Sequence, residues 1–311
     1  MPSLDGSQTA PELARWPRTA SHHRRYERST VIGSGAHTWD RVRNEVLVWA
    51  VKTRSGFRVA PRTRVSVGDR PTIVAGIPGV TVREPVEVVA VVDRDDRAGF
   101  AYRTLPGHPV DGEEAFIVWR DADDVVLTIR SLTRPSPQRR WRLVHPLLRI
   151  AQHLARYRYR RALRASTFIL QTRASAAPEV LFEASVSIDA HLASMRRSRE
   201  RAIAGVTSGR IGDGESVTWR ARHLGVWFVM TSRITAWDAP RRFVDEQVGG
   251  PFRLFRHEHL FEADASGTRM TDIVTLASPL GGLLVERLVL VPYLRRLIVA
   301  RNRHLVAVTD R

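Results

Sequence analysis

Trp39, Val42, Val46 and Trp49 recur at steps of three, four and three, which places them on one face and predicts an amphipathic helix over Ala36 to Val51. From Gly56 to Pro135 the period shortens toward two. Runs such as FRVA, RVSVGD, PTIVAG, VTVREPVEVVAVVD, GFAYRTL, EEAFIVWR and DVVLTIRSLTRP are separated by turn residues, the pattern of an antiparallel meander. Pro146 then opens a long helix to about Leu163, with Leu147, Ile150, Leu154 and Tyr157 assigned to its buried face. The plan repeats: STFILQTRA reads as a strand, Asp189 to Ala204 as a helical region, and five further strand-like runs lead to a last helix from about Leu283 to Val308. A kink is expected in that helix at Pro292.

A strand, helical segments, a curved antiparallel sheet and a closing helix, taken twice, predict an α+β protein of two tandem helix-grip domains. In each, the sheet would wrap around the long C-terminal helix and enclose a mostly apolar cavity. A length of 311 residues suits two cores, and the boundary is expected near Arg164 to Thr167, giving domains at 23–165 and 166–311. Residues 1–22 lack a signal-type apolar run and read as a disordered tail.

The second half carries FVDEQVGGPF, HEHLF, GTRMTDIV and SPLG in order, and resembles the START-like, polyketide-cyclase-like superfamily, SRPBCC, nearest its cell-division-inhibitor-like branch. That resemblance implies a fold and a cavity for a hydrophobic small molecule, with no shared reaction. The first half carries GSGAHTWDRVRNEVLVWAV, GFAYRTLPGHPVDGEEAFIV and SLTRP, and is similar to a bacterial and plant family known as domain of unknown function 1990. No activity follows from that likeness.

A net charge of +17 would ordinarily suggest nucleic acid or an anionic membrane. Lys52 is the only lysine among 49 basic residues, however, so the excess is an arginine bias of the kind a GC-rich coding background produces, and nucleic acid is disfavoured as a partner. An anionic membrane surface stays open as a partner through Arg149, His153, Arg156 and Arg160, which form one stripe on the helix after Pro146. The absence of cysteine excludes disulfides, thiolate metal sites and cysteine nucleophiles. With no uninterrupted apolar span, the expected location is the bacterial cytoplasm.

Candidate chemistry falls in two places. In FRHEHLF, alternation puts Phe255, His257, His259 and Phe261 on one strand face, taken as the cavity side, and Glu258 on the other. His257 and His259 would need a third ligand to hold a metal, His223 or Asp272 being the candidates, and Asp272 could instead fix an imidazole tautomer. The favoured reading is that the histidines orient a ligand, with no metal and no cofactor. Around LPGHPVDGEE, His108 with Glu113 and Glu114 offers an acid/base group, Glu114 being the carboxylate expected to face inward, and Tyr102 and Thr104 could add polar contacts. No dinucleotide fingerprint, Walker loop, nucleophile elbow or HExxH pair occurs. The expected function is binding or transfer of a hydrophobic or amphipathic small molecule or lipid. The alternative is a cyclase-, hydrolase- or isomerase-like enzyme working through His108, Glu114, His257, His259 or Asp272, and a surface adaptor stands third.

Overall fold

The computed structural model describes residues 6–18, 22–61, 63–77, 80–138, 141, 145–279 and 282–310. They form two compact units, Met1–Arg164 and Ala165–Arg311.

In the first unit, β1 (Arg24–Ser34) leads through α1 (Ala36–Val46) and α2 (Ala50–Thr53) to β2 (Phe57–Arg58), β3 (Thr72–Ile77), β4 (Val80–Asp93), β5 (Arg97–Thr104), β6 (Val110–Asp121) and β7 (Asp124–Pro135), and closes with α3 (His145–Ala162). The sheet order is β1-β7-β6-β5-β4-β3-β2, every pair antiparallel. Phe100, Tyr102, Phe116, Val118, Leu127 and Ile129 alternate onto the face that packs on Trp39, Val42, Val46, Trp49 and Tyr159. The helix expected over Ala36 to Val51 breaks at Trp49, whose φ of 62° is left-handed, and Glu45 spans the break by accepting from both Arg41 and Arg54. The RVSVGD run forms no strand; Gly68 N–H and Val88 N–H instead bond across to Val88 and Asp69 carbonyls as a turn against β4.

Two expectations for this unit are overturned. Leu147, Ile150, Leu154 and Tyr157 of α3 are exposed, Leu147 by 67% and Ile150 by 68%, while Ala155, Arg156, Tyr159 and Ala162 turn inward. The supposed basic stripe is therefore split, because Arg156 lies over the Tyr26 ring and donates to Ser131 Oγ at 2.8 Å. A polar interior decides the rotation: Tyr159 must reach Lys52, and small residues at 151 and 155 leave room for a cavity.

Within the segment read as a disordered tail, residues 6–18 are fixed against the sheet. Glu113 accepts from Ser7 Oγ at 2.5 Å, Gln8 N at 3.0 Å, and Thr9 N at 2.8 Å. Arg130 donates to the carbonyls of Ala10 at 2.6 Å and Ala14 at 3.0 Å, and Trp16 is buried beside Leu132. Backbone polar groups satisfied by buried charges, with an anchoring indole, supply what composition alone does not reveal.

The second unit repeats the topology: β8 (Ser166–Ala174), α4 (Pro178–Ser185), α5 (Ile188–Ser194), β9 (Arg201–Gly205), β10 (Ser216–His223), β11 (Val226–Asp238), β12 (Arg242–Gly249), β13 (Leu254–Asp264) and β14 (Gly267–Ala277). The sheet order is β8-β14-β13-β12-β11-β10-β9. The helical region expected over Asp189 to Ala204 is shorter, since Arg201–Gly205 is strand β9, and Pro178 opens an additional helix at its first turn. The closing helix comprises α6 (Gly282–Val285), a π-helical segment Glu286–Leu290 and α7 (Val291–Thr309). Pro292, which cannot donate a backbone hydrogen bond, stands two residues after the end of that π turn. Each unit is thus a helix-grip domain, a curled antiparallel sheet closed by its C-terminal helix. Among the described residues, no helix is long and apolar enough to cross a membrane.

Candidate functional site

The second unit's sheet and α7 enclose two adjoining chambers that share Glu200, Trp219, His223, Met230, Phe255 and Leu294. The outer chamber, about 330 Å³, is walled by Leu224, Phe228, Phe252, Leu290 and Tyr293. His223 Nδ1 meets Tyr293 Oη there at 2.8 Å, and the imidazole lies among aromatic edges. The inner chamber, about 160 Å³, is polar on its floor, where Asp245, His257, His259 and Arg301 converge.

Strand register builds that floor. Asp245 on β12 pairs with His257 on β13, and His259 on β13 pairs with Asp272 on β14. Cross-strand partners on one face stand within side-chain reach, so three neighbouring strands deliver two carboxylates and two imidazoles to one spot. His257 and His259 have ring centroids 3.8 Å apart, and His259 stacks on Phe243 at 4.1 Å. Asp272 is 0% exposed. His257 Nε2 lies 2.8 Å from Asp272 Oδ1, while Oδ2 accepts from Asn302 Nδ2 at 2.6 Å. Burial pushes the Asp272 carboxyl up, but the two imidazoles outweigh it and hold it well below the usual carboxylate range. Burial, reinforced by the neighbouring His259, pushes the His257 imidazole down.

Phe255 lines both chambers, whereas Phe261 packs in the core against Phe182 and Phe243. Glu258 faces the other side of the sheet, bound by Arg242 at 2.5 Å and Arg256 at 2.7 Å. Neither candidate for a third metal ligand stands beside His257 Nδ1 and His259 Nε2: His223 is engaged with Tyr293, and Asp272 contacts the opposite nitrogens of both rings. Asp245 occupies that position, with its Oδ2 3.4 Å from His259 Nε2 and 3.9 Å from His257 Nδ1. Nothing in the sequence distinguishes Asp245 from its neighbour Glu246; register does.

The first unit has its own cavity, about 190 Å³, lined by Lys52, Tyr102, His108, Glu84, Glu114 and Tyr159 among apolar groups. Lys52 is 4% exposed and donates to Tyr159 Oη at 2.7 Å, with Glu114 Oε2 at 3.1 Å. Four rings, those of Phe57, Tyr102, Phe116 and Tyr159, lie 4.8 to 5.8 Å from its ammonium. Tyr102 donates to the same Glu114 oxygen. Burial opposes the charge on Lys52, yet the Glu114 carboxylate, together with Tyr102, Tyr159 and Glu84, more than compensates and raises its pKa well above the usual value. Burial also raises the Glu84 carboxyl, and burial with the nearby Lys52 charge pushes His108 down to about 4. His108 Nε2 lies 4.0 Å from Glu84, and its Nδ1 lies 2.8 Å from the Val110 carbonyl.

Glu113 is on the opposite side of β6, holding residues 7–9, and Thr104 receives the Gly112 N–H at 3.0 Å. Sequence reasoning passed over Lys52 and Glu84. Lys52 was signalled by composition, because a single lysine retained among arginines marks a place where a guanidinium does not serve.

Residues 7–162 match the family model described as domain of unknown function (DUF1990). A UPF0548 protein of Deinococcus radiodurans is 40% identical over 76 residues, which are 24% of this chain and 38% of that protein. Among solved structures, the di-domain ARO/CYC BexL from the BE-7585A biosynthetic pathway is similar over 93% of this chain and 99% of its own, at 14% identity and a TM-score of 0.43. The di-domain ARO/CYC StfQ from the steffimycin biosynthetic pathway covers 92% of this chain and 98% of its own, at 13% identity and a TM-score of 0.44. The Zhui aromatase/cyclase from Streptomyces sp. R1128 covers 47% of this chain and 94% of its own, at 15% identity and a TM-score of 0.40. At such scores these likenesses say nothing of what this chain does.

Proposed function

The chain belongs to the family described as domain of unknown function 1990, and from that premise we propose that it binds or transfers an amphipathic, mostly apolar small molecule or lipid in the cavity of its second unit. The observation that carries this reading is the polarity gradient between the two adjoining chambers. An apolar body fits the outer chamber, whose walls are aromatic and aliphatic, and a polar end reaches the inner one, where Asp245, His257, His259 and Arg301 stand. Burying an apolar body there is worth roughly 25 cal/mol per Å² removed from water, and the polar floor sets its orientation.

The test is titration of the intact chain with Nile red, alongside native mass spectrometry of the gently purified protein. Saturable binding near one probe per chain is expected, weakened at least about tenfold by Ala221→Phe, which fills the outer chamber from β10. No saturable binding together with a bare protein mass would overturn the reading.

A catalytic reading of the isomerase-, cyclase- or hydrolase-like kind is favoured by one observation in the first unit. Glu84, a carboxyl raised by burial, and His108, an imidazole kept neutral, face one cavity beside the Lys52 ammonium. Proton abstraction next to a carbonyl suits that set. Exchange of the methyl protons of an aryl methyl ketone into D₂O, followed by NMR, should be accelerated by the protein and lose its acceleration in Glu84→Gln. Equal exchange in the variant would remove these residues from any such role.

A further inference from the structure

We propose that Asp245, His257 and His259 form a three-ligand site for a first-row divalent transition metal on the floor of the inner chamber, with Asp272 as the carboxylate that orients both imidazoles. This site does not rest on the cavity's affinity for apolar molecules, and either can fail alone.

Geometry is the first support. Asp245, His257 and His259 each offer one ligating atom within 4.8 Å of the other two. A metal bonded to nitrogen and oxygen at about 2.0–2.2 Å sets its ligands roughly 3.0–3.6 Å apart. The separation of Asp245 Oδ2 from His259 Nε2, 3.4 Å, already fits, and that from His257 Nδ1, 3.9 Å, needs to close by only a few tenths. Asp245 is the ligand with room to make that adjustment, since its side chain is 23% exposed against 9% and 2% for the imidazoles.

The second support is a count of hydrogen-bond donors. His257 Nε2 and His259 Nδ1 lie 2.8 and 2.9 Å from the same oxygen of Asp272. A nitrogen lone pair that close to a carboxylate would be repelled, so His257 Nε2 carries its proton, and metal binding requires His259 to carry its own on Nδ1 in the same way. The contact from His259 is off the line of a good hydrogen bond, and its Nδ1 finds no other partner. With the rings neutral and so protonated, His257 Nδ1 and His259 Nε2 are lone pairs aimed at Asp245, itself an acceptor; in its other tautomer His259 instead donates from Nε2 to Asp245 Oδ2 at 3.4 Å. In the former tautomer three acceptors meet with no donor between them, and a cation, a water or an added proton relieves the arrangement.

Asp272 is meanwhile anchored from behind by Asn302 and sealed from solvent, the position of a carboxylate that fixes the tautomer and raises the basicity of metal-bound histidines. Charge points the same way. Among the described residues of the inner chamber and its floor, Asp245, Asp272 and Glu200 face one guanidinium, Arg301. Two imidazoles and one carboxylate suit zinc, iron(II), cobalt or nickel, and exclude calcium and magnesium, which take oxygen donors.

The experiment is cobalt(II) titration of the untagged full-length chain after dialysis against a chelator, read by visible d–d absorption and by equilibrium dialysis with metal analysis. One tightly held equivalent is expected, displaced by zinc and removed again by chelator. Asp245→Asn and His259→Gln should each weaken it by at least about a hundredfold, and Asp272→Asn by about 10–100-fold. His153→Gln, which changes an exposed imidazole on α3 of the first unit, should leave it unchanged. Circular dichroism establishes that each variant is folded; Asp245→Asn, at the partly exposed ligand, keeps the test informative if a buried variant is not. Absence of stoichiometric cobalt or zinc binding by the intact chain would overturn the proposal, as would binding that survives Asp245→Asn. Loss of Nile red binding with metal binding intact would count against the apolar-ligand reading alone.

Discussion

Lys52 and Glu114 form a buried ion pair, with Nζ 3.1 Å from Oε2, inside a box of four aromatic rings. Removing one charge strands the other in a largely desolvated site. Lys52→Met should therefore destabilise the protein by about 3–5 kcal/mol, while Lys52→Met with Glu114→Gln recovers much of the loss. Chemical denaturation of the single and double variants measures this. Lys52→Arg should also destabilise, because a planar guanidinium does not fit the box. Stability equal to wild type in Lys52→Arg would show that the lysine is retained by chance.

His108 titrates near 4 in the fold against an ordinary value of 6.5, burial being the main cause and the Lys52 charge the next. Between those two pH values the unfolded chain takes up a proton that the folded chain refuses. Its contribution is therefore fully present above about pH 6.5 and is lost as pH falls toward about 4, by up to about 3 kcal/mol. Denaturation midpoints across that window should fall less steeply in His108→Gln. Parallel curves for the two proteins would refute the assignment.

Glu113 and Arg130 clasp residues 7–14 against the first unit's sheet. Glu113→Gln should release this strap without unfolding the domain. Hydrogen exchange at residues 7–9 is expected to rise by one to two orders of magnitude for a loss of about 1–3 kcal/mol, with the amides of β5 and β6 unchanged. Uniform deprotection of the whole unit would mean that the strap is part of the core.

Gly112, the third residue of β6, has φ +151°, and a Cβ built there would lie 1.8 Å from the Leu132 carbonyl oxygen. Alanine at this position must push β6 from β7, so Gly112→Ala should cost about 2–4 kcal/mol in a thermal or denaturant melt. A neutral result would mean that the strand pair yields freely, and with it the placement of Glu113 and Glu114.

The period of the chain and the alternation along its strands determined the architecture: two antiparallel sheets, their closing helices, and the inward faces of Phe255, His257 and His259, with Glu258 turned away. Such patterns are local, because a pleated strand sends successive side chains to opposite sides whatever lies beyond it. Composition also held the mark of Lys52, although its meaning needed the box around it. Tertiary structure decided the rest. The apolar stripe of α3 faces outward because the opposite face must supply Tyr159 to Lys52 and Arg156 to Ser131. Residues 7–9 are ordered by a carboxylate more than a hundred positions away in the chain. Asp245 meets the histidines only because β12 pairs with β13 in one particular register. Partners so distant in sequence are chosen by strand pairing and side-chain burial across the whole unit, and a one-residue slip of β12 would have offered Glu246 or Val244 instead.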